Sequence, residues 1–242
     1  MAGKAPVETF TTATPSGSAC LQVKDQCIKP EKDCGADATA DVIVDASGAV
    51  LSTICYPNRD YNVVVVGDAA VPTAPLQNNS VIVLDDKADG VDVTGDVTIT
   101  GNNVIVYGYG PNVSEIGGNL SIDKNNAIVR GVTIDGNVSI SKNNASLVDC
   151  VIKGDLTITG NNVTLALCEI WGNVAIEGNN AVFVSNLVLG DQPISGMNLR
   201  CNDNHHFADA NMDGVFQPAE VTTPIECGSK AAGTQSTPGK KP

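Results

Sequence analysis

An 18-residue repeat constrains the fold of this chain more than any other feature. Five blocks read GDVTITGNNVIV, GGNLSIDKNNAIV, GNVSISKNNASLV, GDLTITGNNVTLA and GNVAIEGNNAVFV. In the last four, the first Asn of the pair recurs every 18 residues, at Asn125, Asn143, Asn161 and Asn179. A short fixed period is typical of a solenoid, and 18 residues are too few for a helical repeat of about 33 or a propeller blade of about 40.

Apolar residues alternate within each coil, which predicts three short strands. One coil shows Leu156 and Ile158, then Val163 and Leu165, then Cys168 and Ile170. Period-two alternation places these side chains on one side of each strand. We therefore predict an all-β, single-stranded parallel β-helix of about six triangular coils, and the general crossover rule favours right-handed winding.

Glycine and asparagine mark the corners of the coil. Gly tolerates left-handed backbone, and the Asn pairs can reach the next coil with their amides. We interpret the Asn column as a structural ladder rather than a binding groove. Two longer spacings predict insertions near residues 85–90 and 108–114. The corner glycines are Gly95, Gly118, Gly136, Gly154, Gly172 and Gly190.

The composition divides the chain into five parts. Residues 1–19 and 228–242 are poor in apolar residues and are expected to be disordered tails. Residues 20–61 read as a disulfide-bearing cap that contains a β-hairpin. Residues 62–192 are the predicted β-helix, and residues 193–227 form a C-terminal appendage that carries a calcium-loop motif.

Eight cysteines indicate an oxidising compartment and so a secreted or cell-surface protein. Cys20, Cys27, Cys34 and Cys55 precede the repeat, and three pairings among them are open. Cys201 and Cys227 follow the repeat and can bridge. Two more, Cys150 and Cys168, share one inward position and are expected to stack as buried thiols, with a cross-coil bridge as the alternative.

The formal net charge of −13 argues against nucleic acid as a partner. No apolar run reaches 18 residues, so we expect no membrane span. An acidic stretch, LDDKADGVDVTGD, is a second possible cation site or a solvated turn. His205 and His206 could hold a transition metal, but adjacent loop histidines are more often solvated.

The residues DANMDGVFQPAE match the pattern D-x-[DN]-x-[DN]-G-x5-E. In this pattern, side-chain oxygens at positions 1, 3, 5, 9 and 12 and a carbonyl at position 7 surround a cation. The sequence therefore predicts calcium as the cofactor, in a structural site of modest affinity. The predicted ligands are Asp209, Asn211, Asp213, Val215, Gln217 and Glu220.

This 12-residue segment resembles EF-hand and dockerin-type calcium loops. The repeat resembles pectin-lyase-like and other short-coil β-solenoids, including bactofilin-type polymer scaffolds. These resemblances imply a calcium ion for the loop, and either a polysaccharide ligand or end-to-end filaments for the repeat. The Thr-x-Thr pairs Thr98/Thr100 and Thr157/Thr159 are similar to the arrays of ice-binding proteins.

The function that these features favour is a secreted or cell-surface structural or adhesive scaffold, stabilised by disulfides and calcium. The alternative is a carbohydrate-binding or polysaccharide-cleaving β-helix. Ice binding and filament formation are further alternatives. No catalytic constellation of known type is present, so the sequence leans against an enzyme. It identifies no partner beyond calcium, carbohydrate or a cell surface, and it leaves the oligomeric state open.

Overall fold

The fold is all-β, as the apolar alternation predicts. The structure is a computed structural model that describes residues 8–13, 21–23, 26–28, 34, 38–44, 50–57, 62–66, 78–84, 93–111, 113–191 and 196–227. Within these ranges the one helical element is the 3-10 turn η1, Pro218–Glu220. No helix of the described part is long and apolar enough to cross a membrane.

Five strands precede the β-helix. β4 and β5 form the expected antiparallel hairpin, whose turn lies outside the described residues. β2 and β3 pair as a short two-stranded ribbon. The bounds are β1 Glu8–Ala13, β2 Leu21–Val23, β3 Gln26–Ile28, β4 Ala38–Val44 and β5 Val50–Pro57.

Strand β1 lies in the segment expected to be a disordered tail. Glu8–Ala13 pairs antiparallel with β4, with Phe10 opposite Val42. The sequence ETFTTA has three Thr and one Phe, which favour strands, and the free edge of a hairpin accepts a further strand. Residues 1–7, 14–19 and 228–242 of the expected tails lie outside the described residues.

The repeat forms five complete coils of three strands, preceded by two strands of earlier coils. The predicted number of about six is therefore close. The bounds are β6 Asn62–Val66, β7 Ser80–Leu84, β8 Val97–Ile99, β9 Ile105–Tyr107, β10 Glu115–Ile116, β11 Leu120–Ile122, β12 Ile128–Arg130, β13 Thr133–Ile134, β14 Val138–Ile140, β15 Ser146–Val148, β16 Val151–Ile152, β17 Leu156–Ile158, β18 Thr164–Ala166, β19 Glu169–Ile170, β20 Val174–Ile176, β21 Val182–Val184 and β22 Leu187–Val188.

Stacking of the coils produces three parallel sheets. The first face contains β8, β11, β14, β17 and β20. The second face contains β6, β7, β9, β12, β15, β18, β21 and β23 (Arg200–Asn202). The third face contains β10, β13, β16, β19, β22 and β24 (His205–Phe207), and β25 (Val221–Pro224) joins it antiparallel. Regular coils keep an 18-residue register, as Ile140 opposite Ile158 illustrates.

The core fills the interior of the triangle with columns of like side chains. Ile140 and Ile158 on the first face and Leu147 and Leu165 on the second are at most 1% exposed. Each such burial contributes roughly 1.5–3 kcal/mol relative to exposure. Because the same position is apolar in every coil, one mutually supporting column forms along each face.

The hairpin packs against the side of the β-helix rather than covering an end in the contacts described. Ile54 of β5 is buried in one apolar cluster with Val148, Ala166 and Val184, which are outward-facing residues of the second face, and β5 contacts β21. Those three residues are fully buried although they point away from the core. The segment expected to be an end cap is thus attached laterally, because the apolar stripe that it covers lies on the outside of β15, β18 and β21.

Candidate functional site

The paired asparagines form hydrogen-bonded ladders, which confirms their structural interpretation. The Asn144 Nδ2 donates to Asn126 Oδ1 at 3.0 Å, and Asn162 Nδ2 donates to Asn144 Oδ1 at 3.1 Å. The backbone of Asn144 is left-handed, with φ 60°. A second ladder runs along the other corner, where Asn137 Oδ1 accepts from the Asp155 N–H. These amides are occupied within the fold and leave little for a ligand.

A third corner, between the second and third faces, carries a column that the sequence did not reveal. Asp149, Leu167, Ser185 and Asp203 all have left-handed backbone, with φ between 53° and 61°, and Gly131 has φ 65°. Left-handed backbone favours Gly, Asn and Asp, and Leu167 is unusual there. The residue type changes in every coil, so no repeated letter marks the corner.

The calcium-loop segment closes on itself through its predicted ligands. Asp209 accepts from the N–H groups of Asp213 and Gly214, both at 3.2 Å. Asp213 Oδ1 accepts from the Val215 N–H at 2.9 Å, and Asp213 Oδ2 accepts from Gln217 Nε2 at 2.9 Å. Asn211 donates to Asp213 at 2.8 Å. The structure therefore brings positions 1, 3, 5 and 9 of the motif together.

Gly214 and Glu220 fix the turn and the closure of this loop. Gly214 has φ +72°, which is the left-handed backbone that motif position 6 requires. Glu220 is 9% exposed, and its two carboxylate oxygens accept from the Ala210 N–H and the Gln217 N–H. Across the described residues, no three His, Cys, Asp or Glu side chains already form a metal-binding group.

The loop folds back onto the third face of the β-helix. The Phe216 ring packs edge-on against Phe207, 5.4 Å between centroids, and Phe207 packs edge-on against Trp171 at 5.1 Å. The Lys153 ammonium lies 4.5 Å from the centre of the Trp171 ring and donates to the Gly214 carbonyl at 3.5 Å. The loop and the solenoid are therefore joined by an aromatic cluster and by the ammonium group of Lys153.

The cysteines separate into bridged pairs at the flanks and free thiols in the core. Cys34–Cys55 and Cys201–Cys227 are disulfides. The second bridge brackets the calcium-loop segment, as its spacing predicts. Cys150 and Cys168 are free and buried, with their thiols against the backbone carbonyls of the second face. Cys20 and the side chain of Cys27 lie outside the described part of the structure.

Asn186 occupies the same inward position as Cys150 and Cys168 in the next coil, and its buried amide is hydrogen-bonded. Its Oδ1 accepts from the Cys168 N–H at 2.9 Å, and its Nδ2 donates to the Leu165 carbonyl at 3.1 Å and to Asn204 at 2.9 Å. Burial and the hydrogen bond to Cys150 raise the pKa of the Cys168 thiol well above its ordinary value. The Cys168 thiol is therefore held in its protonated, unreactive form, and its role in the interior is structural.

A groove of about 690 Å³ runs along the outer surface of the third face. Its floor consists of outward side chains of successive coils, including Thr133, Val151, Glu169 and Leu187. One side is formed by the calcium-loop segment at residues 214–216, and the opposite side by the left-handed corner. The insertion expected at residues 108–114 lies at one end, where Pro111 and Val113 contact the groove.

Two carboxyl groups in this groove are partly desolvated. Burial raises the pKa of Asp149, although Arg130 opposes the shift. Burial also raises the pKa of Glu169, while the hydrogen bond from Trp171 Nε1 at 2.6 Å and the charge of Lys153 oppose it. Both groups were missed from the sequence, since nothing in the repeat separates a groove residue from an ordinary outward residue.

The two histidines lie in β24 and do not converge on a shared site. His205 Nδ1 is buried without a hydrogen bond, 3.9 Å from the Asp203 carboxylate. His206 Nδ1 lies 3.3 Å from the Val188 carbonyl. Of the second acidic stretch, Asp96 belongs to the corner ladder, where it accepts from Asn119. Residues 85–92 of that stretch lie outside the described ranges.

Comparisons of this chain with models of protein families, with curated protein sequences and with solved structures found no match.

Proposed function

We propose that this protein is an extracellular structural scaffold whose C-terminal loop is organised by one calcium ion. The observation that carries the proposal is the closed loop at residues 209–220, which is bracketed by a disulfide and docked on the β-helix. The solenoid supplies a rigid support because every coil is hydrogen-bonded to its neighbours and the core columns are continuous.

The donor set of the loop suits calcium. The side chains of Asp209, Asn211, Asp213, Gln217 and Glu220 offer oxygen atoms only, apart from two amide nitrogens, and calcium prefers oxygen ligands. The Asp213 and Asp209 carboxylates accept N–H groups of their own loop, which bends the chain into the turn that the motif requires. Calcium would draw these oxygens onto itself and neutralise their mutual repulsion.

Calcium in this loop would also rigidify the third face. The Phe216 ring and the Gly214 carbonyl belong to the same loop that holds the predicted ligands, and they contact Phe207 and Lys153. Ordering the loop therefore orders one side of the groove. This coupling gives the ion a structural role in the scaffold rather than that of a switch.

Thermal unfolding of the full chain with 10 mM calcium, with 10 mM magnesium and with a chelator tests the proposal. For dissociation constants of roughly 10⁻⁴ to 10⁻³ M, calcium is expected to stabilise the fold by about 1.5–3 kcal/mol. Asp213→Ala should abolish the stabilisation, and the matched control Asp123→Ala on the first face should retain it. Equal calcium responses of the two variants, or none in the wild type, would refute the site.

The extracellular assignment rests on the disulfides of the flanking segments, since such bridges persist in oxidising compartments. Expression in an oxidising and in a reducing compartment provides the test. We expect folded protein in which Cys201 and Cys227 are bridged, and so do not react with thiol reagents, only from the oxidising compartment. A chain that folds equally well with both thiols free and unbridged would count against an extracellular scaffold.

A further inference from the structure

Two departures from the regular coil lie on the third face of the β-helix. The insertion at residues 108–114 lies where the second face turns into the third. The loop at residues 209–220 folds back over the third face from the other end of the chain. Both border the same groove of about 690 Å³. A solenoid that served only as a rod would not need two unrelated segments at one surface.

The dimensions of the groove fit an extended chain. Its floor includes side chains from the coils of Glu115, Thr133, Val151, Glu169 and Leu187. Parallel strands are spaced by about 4.8 Å, so these five levels span about 19 Å. An extended peptide rises about 3.3 Å per residue, and roughly six residues would cover this length.

The charges of the groove select a cationic occupant. Four carboxylates line it, from Glu115, Asp135, Asp149 and Glu169, against one ammonium group, that of Lys153. Lys153 already lies over the Trp171 ring and donates to the Gly214 carbonyl. The carboxylates are distributed over successive coils, so a chain with several positive charges could meet them in turn.

The aromatic residues argue for a peptide over a sugar chain. Flat ring faces that are free to stack would suit sugar rings, but Phe216 packs edge-on against Phe207, and Trp171 is covered on one face by Lys153. Acidic polysaccharides would be repelled by the carboxylates. Apolar floor residues such as Val151 and Leu187 suit the aliphatic stems of lysine and arginine, which cover apolar surface while their charges reach out.

We infer that the groove on the third face binds an extended basic peptide segment of a partner protein. The four carboxylates on the floor and sides of the groove pair with its lysine or arginine side chains, and the apolar floor residues accommodate their stems. This inference does not rest on the proposed calcium site, because these carboxylates belong to the β-helix and not to the loop. It gives the scaffold a partner of defined chemistry.

The test measures binding of fluorescein-labelled hexalysine to the full chain by fluorescence anisotropy at physiological salt. The double variant Asp135→Asn/Asp149→Asn is expected to weaken binding by about tenfold. The control Asp123→Asn/Glu177→Gln removes the same charge from the first face and should change affinity less than about twofold. Asn is tolerated at the left-handed position 149, so the double variant should fold.

A second variant tests the groove without changing residues 135 and 149. Val151→Lys places a positive charge on the groove floor and should weaken binding at least as much. Equal losses in the groove and control variants would show charge attraction without a site, and would overturn the inference. Tighter, groove-dependent binding of cellohexaose or of oligogalacturonate would overturn it in favour of a sugar ligand.

Discussion

Asp149 shows how a single residue can be placed for binding at a cost to the fold. Its left-handed backbone suits Asp or Asn, and its carboxylate lies at the side of the groove. Burial raises its pKa, which means that the charged form is less favourable in the folded chain than in the unfolded one. The side chain of Asp149 is largely exposed to solvent, so this cost to the folded state is small.

We expect Asp149→Asn to raise the melting temperature at pH 7. The folded pKa is raised, so the wild-type group contributes its full stability only below the ordinary pKa of Asp, and that contribution is lost as the pH rises through the folded value. The gain from Asn should therefore vanish at about pH 2, well below the ordinary pKa of Asp, where the carboxyl group is protonated in both states. Thermal unfolding at the two pH values measures this.

The control for this prediction is Asp123→Asn, an exposed aspartate at the corner that follows β11. It removes the same charge from a residue outside the groove. A stabilisation of equal size in both variants would attribute the effect to net charge, and a loss of stability in Asp149→Asn would show that the attraction of Arg130 outweighs desolvation.

At the scale of the element, the corner ladders hold the coils in register. The second Asn of each pair supplies two things, a left-handed backbone and an amide that bonds to the coils on either side. The strands themselves are only two or three residues long in the regular coils, so strand pairing alone gives few hydrogen bonds per face. The ladders extend the hydrogen bonding around the corner.

Substitution of Asn144 separates the two contributions. Asn144→Gly keeps the left-handed backbone but loses both amide bonds, and should cost about 1–2 kcal/mol. Asn144→Ala loses the bonds and adds the left-handed penalty, for a total of about 2–4 kcal/mol. Urea unfolding of both variants measures the difference. Equal stability of the Gly and Ala variants would contradict the proposed backbone requirement at this corner.

At the scale of the whole molecule, the periodic part could be predicted and the aperiodic part could not. The spacing of Asn143 and Asn161 gave the register, and the alternation around Leu156 and Ile158 gave the inward columns, because one rule repeats in every coil. The packing of Ile54 on the second face and the fold-back of Phe216 onto the third are contacts between distant, unrepeated segments. No local pattern encodes such a pairing.

The candidate site divides in the same way. The sequence motif predicts Asp209, Asp213 and Glu220 as ligands from local spacing alone, and their role as ligands stays a prediction. The groove depends on where that loop lies relative to Asp149 and Glu169, and this is set by the aromatic contacts with Trp171. The strand Glu8–Ala13 was missed for a related reason, since its stability comes from the edge of a distant hairpin.

The disulfide Cys201–Cys227 ties the C-terminal segment to the last coils, and its removal should be felt by the whole chain. The two cysteines are 26 residues apart, and closing a loop of that length stabilises a fold by about 3.5 kcal/mol in the chain-entropy model. We expect the double variant Cys201→Ala/Cys227→Ala to lose about that much in urea unfolding. A wild-type chain that keeps its stability on selective reduction of this bridge would contradict the expectation.

The lateral position of the hairpin has a mechanical consequence. Ile54 belongs to one buried apolar cluster with Val148, Ala166 and Val184, which lie on three successive coils. Coils of a solenoid that is pulled along its axis can separate one at a time, but a hairpin packed against this cluster would make these coils separate together. Tension on this protein would therefore meet its greatest resistance in these three coils, which carry three of the five levels of the groove.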